Sequence, residues 1–237
     1  MRLKLNLDLE NEILPIQYRK SIISFIKLSL LEYNEQYYKK FYNNRDTTIK
    51  PYTFSVFFCN PKFIEDRIII ENKRLELNLS IADYETSIIL YNALNHQKNK
   101  KFSLDKNSWT IKNIGVSLDK QISSEKITIK FMSPLVVRSH FKDKDYYYSF
   151  NYEEFKDMLK INIRHQLKIT DIKEDLVNSF DIEAIKAKKV IVKFYEKKIE
   201  TSTGIFKISG DKQLLKYLYD AGMGSKRSSG FGMFQII

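Results

Sequence analysis

Two hydrophobic periods run along the chain. From Arg2 to Leu9 the residues alternate, with Leu3, Leu5 and Leu7 on one side and Lys4, Asn6 and Asp8 on the other. That period of two predicts a half-buried strand. After Pro15, which suits the first turn of a helix, Ile22, Ile26 and Leu30 fall four apart and predict a helix. A polar, aromatic stretch, YNEQYYKKFYNNRDTTIK, leads to Pro51, and Tyr52, Phe54, Val56 and Phe58 alternate again. Strand-like runs follow at 66–71 and 74–80, then a helix opening at Ser80 or Asp83 and reaching about Asn95, then a strand near 108–117. The order β-α-β-β-α-β is that of a ferredoxin-like unit.

The second half repeats the theme. Lys126–Phe131 alternates as a strand, Pro134–Arg138 is expected to extend it, and Tyr146–Phe150 to pair with one of them. Phe155, Leu159 and Ile163 mark a helix from about Tyr152 to Leu167. Strands are expected at 189–196 and 204–209 around a turn at Lys198–Thr203. Asp211 opens a helix carrying Leu214, Leu215 and Leu218, and Gly222 ends it as a C′ glycine does. The last strand is Phe231–Ile236. The fold class is therefore α+β: two tandem ferredoxin-like, RRM-like domains, 1–120 and 121–237, joined at the polar segment DKQISSEK.

Composition narrows the function. The 237 residues carry 40 Lys and Arg against 29 Asp and Glu, a net charge of +11, which favours a polyanionic partner. An anionic membrane surface would need a helix with one basic and one exposed apolar face, and the pattern offers none clearly. Apolar runs stay below the ~18 residues of a membrane span. The alternating, acid-containing N-terminus does not read as a signal peptide, and the lone Cys59 fits a reducing compartment. A cytoplasmic protein is expected. There is no P-loop, GxGxxG or GxSxG motif. None of His96, His140 and His165 has a ligand-like partner at helical spacing, so neither a metal nor a cofactor is expected.

The sharpest local feature is Gly222-Met-Gly-Ser-Lys-Arg-Ser-Ser-Gly-Phe-Gly232, which holds four of the chain's seven glycines. Glycine permits close backbone approach and positive φ. Exposed N–H groups at such a turn can cradle a phosphate, helped by Gly222, Gly224 and Gly230, by Ser225, Ser228 and Ser229, and by the charges of Lys226 and Arg227. The competing reading is a flexible, basic helix-to-strand connection. A second basic feature is Lys156, Lys160, Arg164 and Lys168, four residues apart on one helix. Like charges at that spacing repel by a few tenths of a kcal/mol, roughly. RNA phosphates could offset this, as could the neighbouring Glu153, Glu154 and Asp157. The lysines 186, 188, 189, 193, 197 and 198 surround the expected hairpin, where they either grip an RNA stem or guard an edge strand. Tyr37, Tyr38 and Tyr42, and also Tyr146, Tyr147 and Tyr148, can stack on bases or pack in the core.

The GxG-K/R-SxGFG loop before a final strand resembles that of the RAMP superfamily, and most of all the CRISPR endoribonucleases that cut repeat RNA. Lys50-Pro-Tyr-Thr-Phe-Ser55 is similar to that family's KPFTFS-like strand, and Ser133-Pro-Leu-Val-Val-Arg138 agrees in order and distance. The resemblance implies a metal-independent nuclease maturing precursor CRISPR RNA. The 2′-hydroxyl attacks the adjacent phosphate and leaves a 2′,3′-cyclic phosphate and a 5′-hydroxyl. The partner it implies is CRISPR repeat RNA, with further effector subunits and a homodimer left open. Family members often use a histidine before the KPFTFS strand and a tyrosine on the first helix. Here residues 37–50 contain no histidine, Asn43 or Asn44 stands in its place, and Phe25 stands for the tyrosine. The candidate catalytic residues are therefore Tyr42, Asn44, Arg45 and Lys50. The rival reading is a catalytically degenerate RNA-binding subunit of an effector complex.

Overall fold

A computed structural model describes residues 1–42, 48–104, 106–117 and 120–237. It divides into two compact units, Met1–Lys50 with Val56–Leu118, and Pro51–Ser55 with Asp119–Ile237. Asn44 and Arg45 lie outside the described residues.

In chain order the first half contains β1 (Arg2–Leu9), β2 (Ile13–Pro15), α1 (Tyr18–Tyr33), α2 (Glu35–Tyr42), β3 (Tyr52–Phe58), β4 (Lys62–Ile64), β5 (Arg67–Ile69), β6 (Arg74–Ile81), α3 (Tyr84–His96), β7 (Lys101–Ser103) and β8 (Ser108–Ser117). Its main sheet has the order β3-β6-β1-β8-β7, with β1 antiparallel to both neighbours. Without the edge strand β7 this is the ferredoxin-like order. The alternation of β1 drives it: Leu3, Leu5 and Leu7 are buried and stand opposite Leu79, Leu77 and Leu75. The helices α1 and α3 pack together, and Asp83 caps α3 by accepting from the Thr86 N–H at 2.7 Å. Phe25 is buried on α1, edge-on to Phe102 at 5.0 Å and to Trp109 at 5.6 Å.

Two features of this half differ from the sequence expectation. The polar, aromatic stretch contains a helix, α2, whose buried residue is Phe41. It is held by side-chain pairs at i,i+4, namely Glu35 with Lys39 at 2.8 Å and the stacked rings of Tyr38 and Tyr42 at 5.7 Å. With so little apolar surface it gives no hydrophobic period to read. The short strands β2, β5 and β4 form a separate small sheet.

The second half contains β9 (Lys126–Phe131), β10 (Arg138–Phe141), β11 (Lys144–Tyr147), α4 (Phe155–Leu167), a 3-10 turn at Glu174–Ser179, β12 (Asp181–Phe194), β13 (Lys197–Ser209), α5 (Lys212–Ala221), a short 3-10 turn at Arg227–Ser229 and β14 (Phe234–Ile236). The sheet order β12-β13-β9-β14 repeats the ferredoxin-like arrangement. Residues 134–137 do not extend β9. Pro134 has no N–H to give a ladder, and Leu135 makes only an isolated bridge to Ser202. The hairpin around the lysines is also longer than expected: β12 and β13 stay paired from Asp181↔Ser209 to Phe194↔Lys197. Only Ile205–Ser209 of β13 also pairs with β9. The rest is a ribbon with Ile191 exposed, and Ile185 is exposed at the bulge where the ribbon begins, so burial leaves no clean alternation in it.

Phe25→Ala should cost about 3–5 kcal/mol, because it removes a fully buried ring from the α1 core. A urea unfolding curve measures this, and a loss below about 1 kcal/mol would contradict the packing described.

Candidate nucleic-acid interface

The glycine-rich segment 222–232 is a packed element of the second unit. The Met223 N–H donates to Gly232 O at 2.9 Å, the Ser225 N–H to Val136 O at 2.7 Å and the Gly232 N–H to Pro134 O at 2.9 Å. Thr53 Oγ1 donates to Phe231 O at 2.7 Å, which fastens the loop to Pro51–Ser55. Two glycines show why no side chain fits. A Cβ on Gly232 would lie 1.9 Å from Met223 O, and one on Gly230 2.4 Å from the ring of Phe54, both at positive φ. Those contacts draw the glycines to the protein interior. The expectation of a cradle built from Gly222, Gly224 and Gly230 is therefore corrected: all three are buried, and several N–H groups of the loop already have protein acceptors.

The loop's charges divide. Arg227 is buried and donates to Ala221 O at 2.9 Å, and it also bonds Tyr217, whose hydroxyl donates to Gln166 O at 2.9 Å. It holds the loop to α5 and does not reach outward as an RNA contact. Lys226, at φ +57°, is turned the other way, and its ammonium stands 5.5 Å from the ring centroid of Phe194. Ser225 donates to Asn162 Oδ1 at 2.8 Å. Ser225, Lys226, Ser228 and Ser229 are the half-buried members of the set, the ones a ligand can meet.

In the first unit, Tyr42 closes α2 with a cation near its ring on two counts. Lys27 Nζ of α1 lies 4.9 Å from the centroid and Lys50 Nζ 4.6 Å. Lys50 also donates to Thr48 O at 3.4 Å. Burial lowers the Lys50 ammonium below the usual lysine value, and the charge of Lys27 lowers it further. Two ammonium groups sharing one ring repel, and an anion beside them relieves that repulsion. The arrangement can hold a phosphate, and Lys50 can release its proton more readily than an exposed lysine. The structure brings Tyr42 and Lys50 together and adds Lys27, which no local pattern marks. Phe25 lies in the core and offers no polar atom to a site.

The model for the C-terminal region of the CRISPR-associated protein Cas6 matches residues 117–236. This chain belongs to the Cas6 family. A Pyrococcus furiosus protein described as a CRISPR-associated endoribonuclease-like protein Cas6 is 28% identical over 185 residues, which is 73% of this chain and 76% of that protein. Two solved structures share the fold over the whole chain. One, from a Cas6-related gene of Pyrococcus furiosus, superposes with TM-score 0.87 at 23% identity and is covered to 98%. The other, a RAMP protein described as binding different RNA substrates, superposes with TM-score 0.83 at 21% identity and is covered to 99%.

The remaining candidates of this Cas6 chain are largely engaged by protein groups. Lys156 pairs with Asp181 at 2.7 Å, Lys160 donates to Asn178 O at 3.2 Å, and Arg164 donates to Asn178 Oδ1 at 2.8 Å. The repulsion along α4 is thus relieved within the protein, and the stripe does not call for RNA. Of the ribbon lysines, Lys189 pairs with Glu200 at 3.1 Å. His165 lies largely at the surface, and the partial desolvation of its ring, followed by the charges of Lys168, Arg227 and Arg138, lowers its imidazole. Among the described residues no three His, Cys, Asp or Glu side chains gather as a metal site, and no helix is long and apolar enough to cross a membrane.

The two basic residues of the loop should respond differently to substitution. Arg227→Ala removes a buried, hydrogen-bonded guanidinium and should cost about 1–3 kcal/mol, whereas Lys226→Ala should stay within about 0.5 kcal/mol of the parent. Thermal unfolding of both variants separates them, and equal midpoints would contradict the inward placement of Arg227.

Proposed function

We propose that this chain is a metal-independent endoribonuclease that binds CRISPR repeat RNA and cuts precursor transcripts. Family membership supports RNA processing as the task. The observation that carries the chemistry is the pair Lys27 and Lys50 at the Tyr42 ring, with Lys50 partly desolvated. In the reaction the 2′-oxygen bonds to phosphorus and gives up its proton to water, the P–O5′ bond breaks and O5′ gains a proton. The five-coordinate intermediate gathers negative charge on its non-bridging oxygens, and Lys27 and Lys50 supply the compensating charge. Lys50, with its lowered proton affinity, gives the proton to O5′. The Tyr42 ring keeps the two ammonium groups in place.

The absence of a histidine from residues 37–50 favours a second reading, an RNA-holding subunit without turnover. Incubating the protein with end-labelled repeat RNA in excess EDTA decides between them. The nuclease reading expects one cut that disappears when the 2′-hydroxyl at that position is replaced by hydrogen. Tight binding with every strand intact would overturn it in favour of the second reading.

Lys50→Arg tests the proton transfer. Arginine keeps the charge but does not deprotonate. RNA affinity should therefore hold within about three-fold, while single-turnover cleavage falls by about 10²–10⁴-fold. Cleavage at the parent rate would show that Lys50 supplies charge alone.

A further inference from the structure

The β10–β11 hairpin sets Arg138 opposite Tyr147 and His140 opposite Asp145. Asp145 is the hub. It accepts from Arg138 Nη1 at 3.0 Å, meets His140 Nδ1 at 2.9 Å and accepts from the Tyr147 hydroxyl at 3.2 Å. Burial raises its carboxyl, but the His140 bond, the Arg138 charge, the Tyr147 bond and the Lys226 charge outweigh that and hold it at about 2. Burial and the same carboxylate push Tyr147 up to about 12. Asp145 is therefore a fixed anion whose own protein partners surround it.

Lys226 comes to this group from the glycine-rich loop. Its ammonium is lowered by burial and by Arg138, supported by Asp145 and lowered again by Lys197. Arg138 and Lys226 thus share one carboxylate, and Lys197 adds its charge near Lys226. The backbone beneath them is held by a single side chain of α4. Asn162 accepts from the Arg138 N–H at 2.9 Å, donates to Arg138 O at 2.7 Å and accepts from Ser225 Oγ at 2.8 Å. Hairpin and loop are fixed to the same residue, so their cations keep a set spacing. With Nδ1 on Asp145, Nε2 is the nitrogen of the exposed His140 imidazole left to meet a ligand. Arg138 has donors left in its planar fork.

A surplus of positive charge on a preorganised, partly desolvated frame is what a tetrahedral oxyanion stabilises. We propose that Arg138, His140 and Lys226 form a phosphate-binding site where the β10–β11 hairpin meets the glycine-rich loop, and that its ligand is a backbone phosphate of bound RNA. The inference rests on the RNA-binding part of the proposed function. It assigns work to the hairpin and to His140 that the Tyr42–Lys50 site does not use.

The chain has three histidines, so the ring carbon signals of protein labelled at histidine are few, and His140→Ala identifies the one concerned. Repeat RNA is added to the labelled parent protein, and inorganic phosphate to a second sample. In parallel, the salt dependence of RNA binding is measured for the parent and for a His140→Ala, Lys226→Gln double variant. The proposal expects RNA to move the His140 signal, and the slope of log affinity on log salt to fall by about 0.7–0.9 for each phosphate that the variant no longer neutralises. RNA that binds without moving the His140 signal or changing the slope would overturn the site and leave the RNA-binding reading standing. A His140 signal that answers to inorganic phosphate and ignores RNA would overturn RNA as the ligand. An absence of RNA binding by the parent protein would overturn the function reading, and the site with it. The signal shift is read on the unsubstituted protein, so it holds even if the double variant folds poorly.

Discussion

The second unit depends on the close docking of residues 222–232 against 133–137 and 51–55. Main-chain groups meet main-chain groups there: Met223 with Gly232, Ser225 with Val136, Gly232 with Pro134. The glycines are demanded by contact at van der Waals limits, where a Cβ would enter a carbonyl or the ring of Phe54. Because the loop is fixed, Arg227 is carried inward and Lys226 outward, and the same rigid path sets where charge reaches the surface. A looser connection of the same composition would present both residues and position neither.

The two places where chemistry gathers share a device, each within its own unit. A lysine is half withdrawn from water, set near an aromatic ring and placed near a second cation: Lys50 at Tyr42 with Lys27, and Lys226 at Phe194 with Arg138. Burial weakens the hold on the proton, the ring compensates part of the lost hydration, and the neighbouring cation leaves a deficit that an anion fills. Exposed lysines such as Lys156 or Lys189 reach carboxylates instead and carry no such deficit. Net charge alone does not make this distinction.

Much of the fold was legible because single strands and helices carry their own periods. The alternation of Leu3, Leu5 and Leu7 and the four-residue spacing of Ile22, Ile26 and Leu30 follow directly from which faces are buried. The helix at Glu35–Tyr42 and the full length of the 181–209 ribbon were not, because pairing of side chains and of main chains sustains them with little burial. In the candidate sites, Tyr42 and Lys50 are close in sequence and could be named together. Lys27 joins them only through the tertiary fold. The glycine-rich loop was conspicuous for its composition, yet the inward turn of Arg227 follows from Tyr217 and Ala221, which no spacing brings to notice. The hairpin cluster was hidden for a similar reason: Arg138, Asp145 and Lys226 converge through pairing and through Asn162.

The central claim, that the glycine-rich loop is a packed part of the second unit, is tested most directly by amide hydrogen exchange on the protein without RNA. The N–H groups of Met223, Ser225 and Gly232 should be protected to a degree comparable with those of the β9 strand, opening only with large-scale unfolding. Exchange at the rate of an exposed connection would contradict the account.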